Sequence, residues 1–362
     1  MIIVQFDDVK KEIVDFFKNK TIIPIFGAGL SLGCKSYNGQ VPGGKEYQNY
    51  MIDEVKTSME ITSDEEIEEL SAMSFSDISS LYQRHVEASK QQKYNKDHFT
   101  NVKLDSYKTK IFDVDWPYVY TLNIDDAIEK NSEYNCVIYS NRIFRNEIFA
   151  DNKCVIKLHG DIGDMLKYVD SGCQIFTTKQ YIDSLKKNIA LLTKLGNDIK
   201  YNNIIFIGCS LNDEIDLLSL IPDKSMPETE TERYFCSINQ PTKLQMEKLR
   251  GYGITKVILF SSYNDIYSEI YDAWDESQKI QKEDLAPASR FKSIRLMNDF
   301  AQNRPYFFLG KSLMAKRIIT YPYFFISRSI TGKIIETLKK HTITISLGMS
   351  CCGKTYILFD IL

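Results

Sequence analysis

A doubly wound, parallel α/β sheet is the fold this sequence predicts, and three features predict it. Short apolar runs recur along the chain, separated by stretches with helical periodicity. Several of these runs end in glycine or in small polar residues, as buried strands do where they turn towards the next helix. The third is a polar, helix-patterned stretch from about 45 to 110, which reads as a helical insertion between the first and second strands.

In chain order, Val9 to Phe17 sets Val9, Ile13, Phe16 and Phe17 on one helical face. Thr21 to Phe26 is an apolar run bounded by Gly27 and reads as a buried strand. Within the insertion, the acidic run Asp64 to Glu69 reads as a solvated helix face rather than a metal site. Strands resume at Tyr118 to Leu122, followed by a helix from near Asp125, and then at Cys136 to Tyr139 and Cys154 to Leu158. Thr178 to Leu195 reads as one amphipathic helix. Asn203 to Ile207 is a strand with the apolar centre Ile204-Ile205-Phe206-Ile207, running into Gly208. Arg233 to Ile238, a helix from Thr242 to Leu249, and Lys256 to Phe260 complete the alternation. Residues 1–277 are thus expected to form one domain. From Gln278 to Tyr323 the rhythm is lost, so 278–325 reads as a helical or irregular connector. A last strand, Thr342 to Leu347, opens a second domain over 326–362.

The length of 362 residues is more than one ordinary domain needs. With 43% hydrophobic and 26% charged residues the chain can build a core without disulfides or metal. A formal net charge of −3 gives no long-range attraction for nucleic acid. The eight cysteines are scattered without a C-x-x-C pair, so no zinc ribbon or dithiol redox motif is written, and reduced, mostly buried thiols are expected. The N-terminal residues, with Asp7, Asp8, Lys10 and Lys11 close behind the first apolar stretch, do not form a signal peptide. No apolar run approaches the roughly 20 residues that span a bilayer. A cytoplasmic protein that binds neither membrane nor nucleic acid is the expectation.

Five strand ends carry the chemistry. Gly27-Ala28-Gly29-Leu30-Ser31 follows a buried strand, where glycines let the backbone approach a pyrophosphate and a following helix N-terminus would offer N–H groups. Its next glycine, Gly33, gives G-x-G-x-x-x-G, and a tight structural turn explains the loop as well. Thr121-Leu122-Asn123-Ile124-Asp125 ends the next strand, where polar side chains face the ligand crevice. Asp125 alone would also serve as a helix cap, whereas Asn123 is harder to explain that way. Lys157-Leu158-His159-Gly160 ends a third strand. A lone loop histidine is more often structural than catalytic. Gly208-Cys209-Ser210, with Asp213, and Ile238-Asn239 end two more strands, and each also reads as an ordinary turn.

In this order the five elements resemble the sirtuin superfamily, from Thr21 to about Asn239, with its Rossmann-like fold. The resemblance implies that Gly27, Ala28, Gly29 and Ser31 hold phosphates of NAD+. It places Gly208, Ser210 and Asn239 towards the adenosine half, and Asn123, Asp125 and His159 at the nicotinamide ribose. Asn123 and His159 would then be catalytic. The four-cysteine zinc module and the D-F-R segment of deacetylating sirtuins are missing. Gly43-Gly44-Lys45 follows Pro42, and Asp161-Ile162-Gly163 stands where F-G-E would follow His159-Gly160. The pattern is closer to the sirtuin-like NAD+ hydrolase domains of bacterial antiviral defence proteins. An NAD-dependent deacylase and a non-catalytic NAD or ADP-ribose module are the alternatives.

Near the end, Gly348-Met349-Ser350-Cys351-Cys352-Gly353-Lys354-Thr355 matches G-x-x-x-x-G-K-T after the strand at Thr342 to Leu347. Gly348, Gly353, Lys354 and Thr355 are therefore expected to cradle a nucleotide, with ATP and Mg2+ bound only in a complete NTPase. Only Tyr356 to Leu362 follow, which leaves no room for a Walker B strand, so the segment reads as the beginning of a P-loop NTPase domain. The order resembles STAND-type antiviral NTPases with a sirtuin-like effector. It implies a homo-oligomer on activation and a phage-derived trigger, with NAD+ as the substrate.

Overall fold

The computed structural model describes residues 1–140, 144, 147–167, 173–211, 214–221, 231–284, 295–297 and 318–320. The chain divides into two compact units, Met1–Ser277 and Gln278–Leu362. In the first, eight strands form one sheet: β1 (Ile2–Gln5), β2 (Ile22–Phe26), β3 (Val119–Thr121), β4 (Cys136–Tyr139), β5 (Cys154–Lys157), β6 (Asn203–Ile207), β7 (Arg233–Ser237) and β8 (Lys256–Leu259). Their spatial order is β1-β8-β7-β6-β2-β3-β5-β4, and each described pairing is parallel. This is a doubly wound α/β fold of the Rossmann-like class.

The helices are α1 (Phe6–Asn19), α2 (Gly44–Ser58), α3 (Asp64–Ala72), α4 (Phe75–His85), α5 (Ala88–Phe99), α6 (Ser106–Thr109), α7 (Ala127–Asn131) and α8 (Ile148–Asp151). They continue with α9 (Ile162–Lys167), α10 (Thr178–Lys187), α11 (Ile189–Tyr201), α12 (Ile215–Leu220), α13 (Lys243–Gly251) and α14 (Tyr263–Asp284). Helices α2 to α6 form the insertion between β2 and β3. In the second unit, Arg295–Met297 pairs in parallel with Ile318–Thr320.

Both faces of the sheet are covered, which is why β2 and the 204–207 stretch of β6 are continuous apolar runs rather than alternating ones. All five residues of β2 and all five of β6 are buried. On one face Ile23, Ile25, Tyr120, Ile156, Ile204 and Phe206 pack with Leu191, Leu195 and Ile199 of α11. Elsewhere in the core, Phe17 of α1 meets Trp116 at 5.1 Å between ring centroids.

Pro24 sits in the central strand, a place where a missing N–H normally breaks a ladder. The geometry explains its tolerance. Phe26 O accepts from Leu122 N on the β3 side, while Gly27 N donates to Ile207 O on the β6 side. Alternate residues of a parallel strand face alternate neighbours, so Pro24 faces β3. The β2–β3 ladder begins only at Ile25↔Tyr120, whereas β2 pairs with β6 from Ile22 to Phe26.

The structure differs from the sequence reading at four places. The expected helix over Thr178–Leu195 is two helices, because Asn188 (φ −100°, ψ 27°) leaves helical geometry, and the second continues to Tyr201. Ile2–Gln5 is an edge strand paired with β8, too short and too close to the N-terminus to show a period. The helix α14 is hidden before Gln278 by the aromatic and acidic mixture of its sequence; its last turns, to Asp284, fall where a helical connector is one of the two expectations. Two short strands lie where a helical or irregular connector is expected. The strand expected at Thr342 to Leu347 and the P-loop residues Gly348, Gly353, Lys354 and Thr355 lie outside the described residues.

Candidate active site at the carboxyl edge

The path from β5 to β6 carries the chain across β2, from one side of the sheet to the other. Such a reversal leaves a crevice at the carboxyl ends of the two strands that flank it, here β2 and β6. Gly27 to Ser31 leaves β2 there, and Gly208 to Ser210 leaves β6.

These two loops interlock through backbone alone. Gly27 N donates to Ile207 O at 3.0 Å and Gly29 N to Gly208 O at 2.8 Å. A Cβ on Gly27 would stand 2.7 Å from Cys209 Cα, and one on Gly29 would stand 2.9 Å from Gly208 Cα. Gly208 has φ +67°, and a Cβ there would lie 2.9 Å from Leu30 N. The amides of Gly27 and Gly29 are thus engaged by β6 and its loop. A short 3₁₀ turn, Ala28–Leu30, follows in place of the helix N-terminus that the sequence suggested; the next α-helix starts at Gly44. Ala28 is exposed on this turn.

Behind the glycine loop lies a buried polar cluster. Ser31 Oγ donates to Asp125 Oδ2 at 2.6 Å. Asn123 Nδ2 donates to Gly27 O at 3.1 Å and to Ser31 Oγ at 3.2 Å. The Asn123 backbone is fixed in turn, its N–H donating to Thr121 Oγ1 at 3.0 Å. With Nδ2 committed, Oδ1 is the Asn123 side-chain atom outside these bonds. Asp125 Oδ1 accepts from Ala127 N at 3.0 Å, an Asx-type turn that satisfies the first N–H of α7. Burial pushes the Asp125 carboxyl above its ordinary range. The next residue, Asp126, accepts from Asn101 N at 2.7 Å and Val102 N at 2.9 Å, tying the end of the insertion to the same loop.

The neighbouring strand end, after β5, carries His159. Thr121 pairs with Lys157, and Leu158 N donates to Thr121 O, so the Asn123 and His159 loops leave the sheet side by side. Gly160 is held at φ +112°, where a Cβ would meet Cys173 O at 2.7 Å. The buried His159 ring lies edge-on to Tyr181 of α10, with centroids 5.5 Å apart. Its Nε2 lies 3.2 Å from Asp216 Oδ2 on α12. Burial alone would depress the imidazole, but the Asp216 carboxylate and its hydrogen bond, with help from Glu214, raise it above its ordinary value.

Helix α10 joins this site to the insertion. Ser76 Oγ and Thr178 Oγ1 are 2.9 Å apart, Gln180 Nε2 donates to Gln83 Oε1, and Phe176 stacks edge-on against Tyr47 and Phe75. The insertion therefore packs against the elements that carry Tyr181.

Beneath His159, the fully buried Lys157 Nζ reaches Glu129 Oε1 (2.5 Å), Asp161 Oδ1 (2.8 Å) and Asp125 O (2.6 Å). Asp161 Oδ2 accepts from Asp164 N, so both oxygens of this residue are used, one on Lys157 and one on α9. This gives the departure from F-G-E at this position a structural role. Glu129 Oε2 is buried with no hydrogen-bond partner among the described residues. Burial accordingly pushes the Glu129 carboxyl up to about 7 despite Lys157.

Ser210 is exposed after β6, as is Asn239 after β7, whose backbone N–H is turned onto Ser237 Oγ. Asp213 lies outside the described residues. Asp216 and Glu129 carried no sequence signal: their partners lie in other strands and loops, and an acidic residue within a helix is unremarked in a sequence. Among the described residues no group of three or more His, Cys, Asp or Glu could hold a metal ion, and no helix is long and apolar enough to cross a membrane.

The fold and the crevice define a doubly wound α/β protein with a polar, largely buried site at its switch point. Residues 117–257, which run from just before β3 into β8, match the family model of the SIR2-like domain. That match fits an NAD-related function and takes in Asn123, Asp125, His159, Gly208, Ser210 and Asn239. The glycine loop at Gly27 to Ser31 precedes the matched stretch. No curated protein matches the chain.

Proposed function

We propose that the site binds NAD+ and hydrolyses its nicotinamide–ribose bond. The observation that carries this reading is the hydrogen-bonded set of Gly27, Ser31, Asn123 and Asp125 at the switch point, beside the loop of His159. Nicotinamide leaves a cationic pyridinium as a neutral molecule, taking the electron pair of the broken C–N bond, so its departure needs no general acid. The protein has to fix the ribose, tolerate an oxocarbenium-like centre and deliver water. Asn123 Oδ1 orients the ribose or the water, and neutral His159 takes the proton that water loses on attack.

The motif order supports a larger role. On this reading the domain is the effector of an antiphage defence protein, and a P-loop NTPase sensor built on Lys354 and Thr355 assembles it into the active oligomer. NAD+ depletion would then arrest the infected cell.

Product analysis with NAD+ tests the chemistry. Free nicotinamide and ADP-ribose are expected without any added peptide. Turnover that requires an acyl-peptide and yields O-acyl-ADP-ribose would make the protein a deacylase instead. Asn123→Ala and His159→Ala are each expected to lower hydrolysis by about 100-fold or more while the circular dichroism spectrum stays parental. Parental rates in both would remove these residues from the mechanism.

A further inference from the structure

We infer that Asp216 is the positioning residue of His159, holding Nε2 so that Nδ1 is the ring nitrogen presented to the reacting water. The inference rests on the reading of His159 as the base. Four observations carry it.

Asp216 is 1% exposed and His159 6%, so their contact is shielded from solvent. The imidazole Nε2 lies 3.2 Å from Oδ2 and 3.4 Å from Oδ1, both within reach of one carboxylate. Oδ1 also accepts from Leu217 N at 3.0 Å, which stops the carboxylate from rotating away. Finally, the ring is confined by the edge-on Tyr181 and its backbone by Ile175 N, which donates to His159 O at 3.1 Å.

A carboxylate accepts and cannot donate, so the neutral imidazole facing it carries its proton on Nε2. The lone pair is then on Nδ1. An isolated buried histidine would present either tautomer and would be a weak base, because burial disfavours the charged form that a base must become. Asp216 removes both deficits. Among the described residues the groups facing the imidazole are Asp216 and Glu214, from α12 and the residue before it, and Tyr181 from α10. On the histidine's own segment Lys157 and Asp161 are engaged with each other. Asp216 comes from the half of the sheet beyond β6, so the base forms only when both halves of the sheet are in place.

The test uses Asp216→Asn, which keeps the size of the side chain and removes its charge, with Asp216→Glu as the conservative variant. The ring resonances of His159, assigned by their loss in His159→Gln, are followed by NMR across pH in each protein. The His159 midpoint is expected to fall in Asp216→Asn and to return towards the parental value in Asp216→Glu. Hydrolysis is expected to drop by about 100-fold in Asp216→Asn, with the acidic limb of its pH–rate profile moved to lower pH by the same interval as the midpoint. An unmoved midpoint in a folded Asp216→Asn protein would overturn the inference, as would an unmoved limb in an active one. If the parental protein releases no nicotinamide, the reading as a hydrolase fails, and the titration still decides whether Asp216 governs His159.

Discussion

Asp125 and Asp198 are both buried carboxylates clasped by hydroxyl groups, yet they do different things. Asp198, on α11, accepts from Tyr118 and Tyr120 hydroxyls at 2.8 and 2.6 Å, and from Lys194 and Asn202 at 3.3 Å each. It binds a helix to the flank of β3, and burial and this carboxylate raise the Tyr120 hydroxyl well above its ordinary value. Asp125 accepts from one hydroxyl, Ser31, and one backbone N–H, and it lies where two strand-end loops meet the crevice. Burial and satisfied hydrogen bonds are common to the two. What separates them is position: one carboxylate stands on the flank of a strand, the other past the end of one.

That contrast is open to four experiments. The largest effect is expected from Asp198→Ala, which strips the buried Tyr120, the half-buried Tyr118 and Lys194 of their shared acceptor. Stability should fall by about 3–5 kcal/mol in urea unfolding, with the hydrolytic rate per folded molecule unchanged. A lost rate in folded protein would erase the distinction drawn between the two carboxylates.

Next comes Glu129. Its folded-state pKa, about 7, lies above the ordinary value of 4.5, so its contribution to stability is complete below the unfolded value and lost as pH rises through 7. Glu129→Gln should therefore match the parent near pH 4.5 and exceed it above pH 7, by roughly 3 kcal/mol at most. Parallel stability curves for the two proteins would show that Lys157 holds Glu129 ionised throughout.

Gly208→Ala should cost about 1–3 kcal/mol, since its Cβ would press on the backbone of the Gly27–Ser31 loop from a left-handed conformation. It should also raise the KM for NAD+, because the crevice is built from that contact. A change in stability with KM untouched would detach the glycine interlock from ligand binding. The smallest effect belongs to Tyr118→Phe, about 1 kcal/mol, because Asp198 keeps three donors. A loss as large as that of Asp198→Ala would show that the network acts as a single unit.

The two regions were not equally legible before folding. Asn123 and His159 announce themselves because each polar residue directly follows a strand, His159 with a glycine after it, and the sheet then sets their loops side by side. The strands β2, β4 and β6 are just as visible, being short apolar runs cut off by glycine or polar residues. Asp198 and Asp216 are invisible by the same logic: each is an acidic residue on a helix, and the strand or strand-end side chain it holds is 57 to 80 positions away. Asp125 was open to two readings, cap or ligand-site residue. One oxygen accepts from Ala127 N, the first N–H of α7, and the other from the Ser31 hydroxyl. The glycine loop shows one local pattern serving a second purpose. Its glycines suit a seat for phosphate, and two of them also let two loops touch.

The pairing of β2 with β6 has a consequence for biosynthesis. Ile22 lies against Asn203, and the pairing continues to Phe26 against Ile207. A ribosome adding roughly 5–20 residues per second therefore needs on the order of ten seconds or more after making Ile22–Phe26 before its partner exists. Throughout that interval an all-apolar strand with an unpaired edge must be kept from other chains. The nascent protein should thus depend on holding chaperones until β6 emerges, and its glycine crevice should close only after that strand has been made.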